Sequence, residues 1–113
     1  MSDNNQEISL LADGAQLVEK HLREKFTLKD TSSYEDAYRH LLLEIEEKIA
    51  YWLEHDYEYL LNLMYRIDVG EEAFCKALET NKPAAQLAQL VLEREIQKAR
   101  SRKQFRENYQ HGK

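Results

Sequence analysis

The strongest pattern lies in the middle of the chain. Tyr34, Ala37, Tyr38, Leu41, Leu42, Ile45, Ile49, Trp52 and Leu53 recur at spacings of three and four, the signature of one apolar face on a helix. Extended at the helical angle, that face continues through Leu60, Leu63 and Ile67, but it would then place Asp56 in its middle. A carboxylate there is costly unless it is partnered. The pattern therefore predicts a break near His55-Asp56, with Asp56 capping a new helix; the alternative is a continuous helix that gives Asp56 a buried partner. The segment from Tyr57 to Ile67 is apolar on several sides, with Leu60, Leu63 and Ile67 on one and Tyr57, Leu61, Met64 and Tyr65 over the other. A helix apolar all round is expected to be buried, at the centre of the fold or of a dimer.

The flanks complete a helical chain. Leu11, Ala15, Val18 and Leu22 predict a first helix over Ile8 to Phe26. Gly14 weakens it by about 1 kcal/mol relative to alanine, and Asp13 with Gln16 offers an alternative start. Thr27 to Ser33 reads as a connection, in which Ser32 and Glu35 match a capping box. Asp68 and Glu71 form a second cap-like pair before a short helix, Gly70 to Thr80, with Ala73, Phe74, Ala77 and Leu78 facing inward. Pro83 suits the first position of a last helix, where its missing N–H costs nothing. That helix runs to about Asn108. It carries one stripe of Leu87, Leu90 and Val91 and another of Ala85, Ala88, Leu92, Ile96 and Ala99. Beyond Ala99 the stripes stop, and the remainder is expected to project or fray. The fold class is all-α: a compact bundle of four to five helices with long second and C-terminal helices. One domain is expected over 8–108, between disordered ends at 1–7 and 109–113.

Composition removes several classes. With three glycines and one proline in 113 residues, a turn-rich β sandwich is excluded. One cysteine cannot form an intramolecular disulfide or a cysteine-based zinc site. The first seven residues have neither the basic nor the apolar region of a signal peptide. The longest apolar run, Ile49 to Leu53, is far too short to span a membrane. A cytoplasmic protein without membrane contact is expected.

The net charge of −5 is unevenly spread. Residues 93–113 carry seven cations and three anions, a balance of +4, which leaves −9 for the rest; residues 31–60 alone hold eight carboxylates against Arg39 and Lys48. Three readings follow. In the first, the cations suit the C-terminal end of a helix dipole. In the second, the basic end, through Arg100, Arg102, Lys103 and Arg106, lies on the acidic helix of its own or a neighbouring chain. In the third it binds nucleic acid, the arginines meeting phosphates while Phe105 and Tyr109 stack on bases; a sequence pI near 5.4 opposes that for the whole domain.

Candidate chemistry is sparse. His40 and Glu44 stand four apart and could share a metal, but the Glu-x-x-His element of carboxylate di-iron bundles occurs nowhere in the chain. Isolated pairs of this kind are usually surface pairs. His55, Asp56, Tyr57, Tyr59, Arg66 and Asp68 form the densest polar and aromatic patch, where a histidine beside a carboxylate could act as an acid–base pair. The competing reading has both aspartates capping helices and the tyrosines packing. Cys75, among Phe74, Ala77 and Leu78, is expected to be an inert buried thiol. Glycine-rich phosphate loops, nucleophile elbows and zinc-protease motifs do not occur. No catalytic, cofactor-binding or metal-binding residue is assigned, and no cofactor is expected.

Six of the seven tyrosines and the single tryptophan fall between Tyr34 and Tyr65, residues favoured both in small cores and at interfaces. Leu43, Ala50, Tyr57 and Met64 are each seven residues apart, a second seam that needs a partner if the helix is continuous. Leu43, Tyr57, Leu61, Met64 and Tyr65 are therefore the candidate interface of a homodimer. The leading expectation is a small non-enzymatic interaction module that self-associates, with another protein as a further candidate partner. The alternatives are a nucleic-acid-associated accessory protein using the basic end, and a small enzyme or ligand-binding protein at the His55–Asp68 patch.

Two stretches, Tyr65-Arg66-Ile67-Asp68-Val69 and the twelve residues from Leu87 to Lys98 (LAQLVLEREIQK), resemble those of short, uncharacterised bacterial all-helical proteins. The resemblance covers roughly the second half of the chain. It implies a bacterial cytosolic origin, no particular activity and no functional residues.

Overall fold

The computed structural model describes residues 2–26 and 33–111, with side chains over 6–26 and 33–108. Its elements are five helices: α1 (Ser2–Leu22), α2 (Tyr34–His55), α3 (Tyr57–Ile67), α4 (Glu71–Leu78) and α5 (Pro83–His111). Residues 2–7 and 109–111, expected outside the helical domain, are helical. The last helix is the spine. It packs along α1 and α2 and touches α4 and α3, while α2 also packs on α3 and α1.

The break at Asp56 forms as the apolar pattern predicts. The Asp56 N–H donates to the Trp52 carbonyl at 2.9 Å, closing α2. Its side chain accepts from the Tyr59 N–H at 3.2 Å, opening α3. One residue thus satisfies orphaned groups on both helices. Trp52 and Tyr59 meet edge to face across the corner, with ring centroids 5.0 Å apart. The Tyr59 hydroxyl goes on to donate to the Leu22 carbonyl at the end of α1, at 3.0 Å.

Other boundaries differ from expectation. α1 stops at Leu22 rather than Phe26, turned by Arg23 in the left-handed region. It runs unbroken through Gly14. α2 is capped by Ser33, whose side chain accepts from the Asp36 N–H at 3.3 Å; Ser32, the expected cap, lies outside the described residues. Asp68 does not cap α4. It closes α3 in a left-handed conformation (φ 66°), and the N–H groups of Asp68 and Val69 both return to Met64. Gly70 (φ 98°) precedes α4 with no side-chain cap.

The core joins all five helices. Leu11, Val18 and Leu22 of α1, Leu41, Ile45 and Ile49 of α2, Leu60, Leu63 and Ile67 of α3, Phe74 and Ala77 of α4, and Leu87, Val91 and Leu92 of α5 are buried together. The two stripes expected on α5 thus face one core, because the helix is enclosed on both sides.

At the start of α2, Tyr34 and Tyr38 lie side by side, their ring centroids 5.8 Å apart. They form a shallow cleft with Glu93, Ile96 and Arg100. Burial pushes both hydroxyls above the ordinary tyrosine value of 10.0. Glu7 adds to the rise at Tyr34 while Arg100 opposes it, and Glu93 adds to the rise at Tyr38. The fold therefore holds these protons more tightly than the unfolded chain does. Their contribution to stability is complete below pH 10 and is lost as pH rises through the raised values. Circular dichroism across an alkaline titration should show unfolding at lower pH for the native chain than for Tyr34→Phe/Tyr38→Phe.

Candidate interaction surfaces

Helix α3 is not buried all round. Leu60, Leu63, Met64 and Ile67 face the core, while Tyr57, Leu61 and Tyr65 face outward with 43%, 41% and 89% of their surface exposed. These three sit at one-turn intervals, so they make a continuous apolar stripe along the outer side of the helix. Beside it, a groove of about 570 Å³ runs between α3 and α4, lined by Leu61, Met64, Tyr65, Asp68, Gly70, Glu71 and Phe74. The Tyr57 ring approaches that of Phe74, with centroids 6.4 Å apart. Of the five candidate interface residues, Tyr57, Leu61 and Tyr65 come together. Met64 is part of the core and only floors the groove, a correction to its expected place on an exposed seam. Leu43 is exposed, at 58%, but it stands three turns before the end of α2 and does not line the groove. The seam required a continuous helix, and the corner at Asp56 divides it.

A polar clamp that the sequence reading did not foresee fastens α3 to α5 and α1. Glu95 of α5 has no surface in contact with solvent. Its Oε2 accepts from Nδ1 of His21 at 2.6 Å. Its Oε1 lies 3.0 Å from the Lys98 ammonium, an ion-pair contact whose angles fall short of a hydrogen bond. Lys98 donates instead to the Ile67 carbonyl at 2.6 Å, satisfying the last turn of α3. One turn earlier on α5, Arg94 donates to the Asp68 carbonyl at 3.2 Å and contacts its carboxylate at 3.3 Å. The clamp therefore joins the end of α3 to the middle of α5 and, through His21, to α1. His21, Glu95 and Lys98 line none of the three grooves described here, so the geometry fits a structural fastening rather than acid–base chemistry on a ligand. Position 95 was legible: it follows Ala88 and Leu92 at helical spacing, so a carboxylate there interrupts a buried stripe just as Asp56 would have.

The four candidate basic residues divide. Arg100 stands beside Tyr34 and Tyr38. Arg102 and Arg106 line a second groove, of about 770 Å³, between α1 and α5, together with Asp13, Gln16, Leu17, Lys20, Ala99, Ser101 and Phe105. Lys103 is half-buried and lies outside that groove.

The His55–Asp68 patch does not assemble into a site. Asp56 caps α3, Asp68 pairs with Arg94, and the Tyr59 hydroxyl serves the end of α1. His55 is exposed, stacked against Tyr51 with centroids 4.6 Å apart. His40 and Glu44 form an ordinary pair at 3.4 Å. Cys75 is exposed rather than buried, because α4 turns Phe74 and Ala77 inward and leaves the intervening position outside. Among the described residues no group of three or more histidine, cysteine or acidic side chains is placed to hold a metal, and no helix is long and apolar enough to cross a membrane. No family model matches the chain, and neither a curated protein nor a solved structure matches it.

Proposed function

We propose that this chain is a non-enzymatic helical interaction module that associates with a second copy of itself through the α3–α4 face. The observation that carries this reading is the outward stripe of Tyr57, Leu61 and Tyr65 beside a groove floored by Met64 and Phe74. Three large apolar side chains at successive turns of a short helix leave a contiguous patch in water, the kind that marks an interaction site. Tyrosine suits such a surface because it combines a large apolar ring with a polar tip. A twofold pairing brings the same patch from each copy together, so Tyr65 of one copy would enter the groove of the other.

Sedimentation equilibrium over a range of concentrations tests the pairing. At high ionic strength the native chain should shift from monomer to dimer, and Tyr65→Glu should remain monomeric with an unchanged helical spectrum, since Tyr65 touches little of its own fold. A native chain that stays monomeric throughout, or a Tyr65→Glu variant that dimerises equally well, would defeat the proposal.

A further inference from the structure

The α1–α5 groove has an apolar floor and a cationic rim. Leu17 and Ala99 are buried beneath it and Phe105 stands largely exposed at its edge, while Lys20, Arg102 and Arg106 surround it; Asp13 is its one carboxylate. Among the described residues none forms an ion pair with Lys20, Arg102 or Arg106. A surface of the opposite character lies on α2. Leu43 and Tyr51 are exposed there, and with the exposed Glu47 and Glu54 they alternate apolar and acidic groups at nearly one-turn intervals along one outer face. Residues 31–60, which contain this face, carry a balance of −6.

We propose that the α1–α5 groove of one copy receives the acidic outer face of α2 from another. Leu43 and Tyr51 cover the floor and Phe105, while Glu47 and Glu54 meet Arg102, Arg106 and Lys20. The match is one of both charge and apolar spacing, and charge complementarity of this kind fixes register and selects partners. The contact rests on the self-association reading only in kind, since it uses a surface separate from the α3–α4 face. It also assigns the basic end to protein rather than nucleic acid, because the cations ring an apolar groove next to an aspartate instead of forming an open phosphate track.

A charge swap tests it, made in a Tyr65→Glu background so that the α3–α4 contact is absent. At low salt and high protein concentration that background should still associate, with an affinity that falls as salt is added. Arg102→Glu/Arg106→Glu and Glu47→Lys/Glu54→Lys should each weaken association by at least about tenfold. An equimolar mixture of the two should recover it, because each then offers the charge the other lacks. All four substituted positions are exposed, so circular dichroism should be unchanged. A mixture no more associated than either variant alone would overturn the proposal. So would salt-sensitive binding of a labelled single-stranded oligonucleotide that is lost in Arg102→Glu/Arg106→Glu while sedimentation is unaffected. If the α3–α4 reading alone fails, Tyr65→Glu is silent and the swap still reads this contact.

Discussion

Replacing His21 with leucine should lower the free energy of unfolding by about 3 kcal/mol, the low end of the cost of leaving a buried charged group without its partner. The loss arises on the other helix. Glu95 is wholly enclosed, so without His21 its Oε2 has neither imidazole nor water. The figure stays near the lower bound because Lys98 remains 3.0 Å from Oε1. Adding Glu95→Met to the same chain should return stability to within about 1 kcal/mol of the native value or above it, since a matched apolar pair removes both the charge and its desolvation. Lys98 keeps its bond to Ile67 and is partly solvated, so it is not stranded. Urea denaturation of the two single variants and the double variant yields the coupling energy directly. Single losses that simply add would show that Glu95 does not depend on His21.

Gly14→Val should destabilise by about 3 kcal/mol, at the upper end of the cost of overpacking. A Cβ at position 14 would lie 2.9 Å from Cγ1 of Ile96 and 3.4 Å from its Cα. The nearest atom is an inner one of a branched side chain, and the next belongs to the backbone of α5, so the two helices must separate. Valine adds two further methyl groups to the same gap. Gly14→Ala is the sharper comparison. Alanine is favoured over glycine in a helix by about 1 kcal/mol, yet the closeness of α1 and α5 predicts a net loss. A raised midpoint of thermal unfolding for Gly14→Ala would mean that the helices adjust freely.

Of these two sites, Gly14 is where the sequence was hardest to read. The face of α2 was legible because nine apolar positions agree on one angle, and the break at Asp56 because a carboxylate interrupts that angle. Pro83 announced its helix by a local rule that needs no tertiary information. Gly14 reads locally as a weak point, and only the approach of α5, eighty residues away, turns it into a close contact. Cys75 and Met64 were misplaced for a related reason. In short helices such as α3 and α4, apolar residues fall on every side, and which side faces inward depends on how α5 lies against them. The outer side of α3 was thus visible as four apolar residues, Tyr57, Leu61, Met64 and Tyr65, but not that Met64 alone of them turns into the core. Asp68 followed the grammar of an N-cap; its left-handed turn and Arg94 give it a different task.

The self-association of the α3–α4 face is tested most directly by the chain's own cysteine. Cys75 is exposed and adjoins Phe74 in the wall of the groove, so a spin label there places one reporter per copy beside the proposed interface. At high ionic strength, where charged contacts are screened, dipolar spectroscopy of the native chain should show coupling between labels on different copies. That coupling should disappear in Tyr65→Glu and persist in Arg102→Glu/Arg106→Glu. Its absence from the native chain at every concentration, or its survival in Tyr65→Glu, would contradict the account.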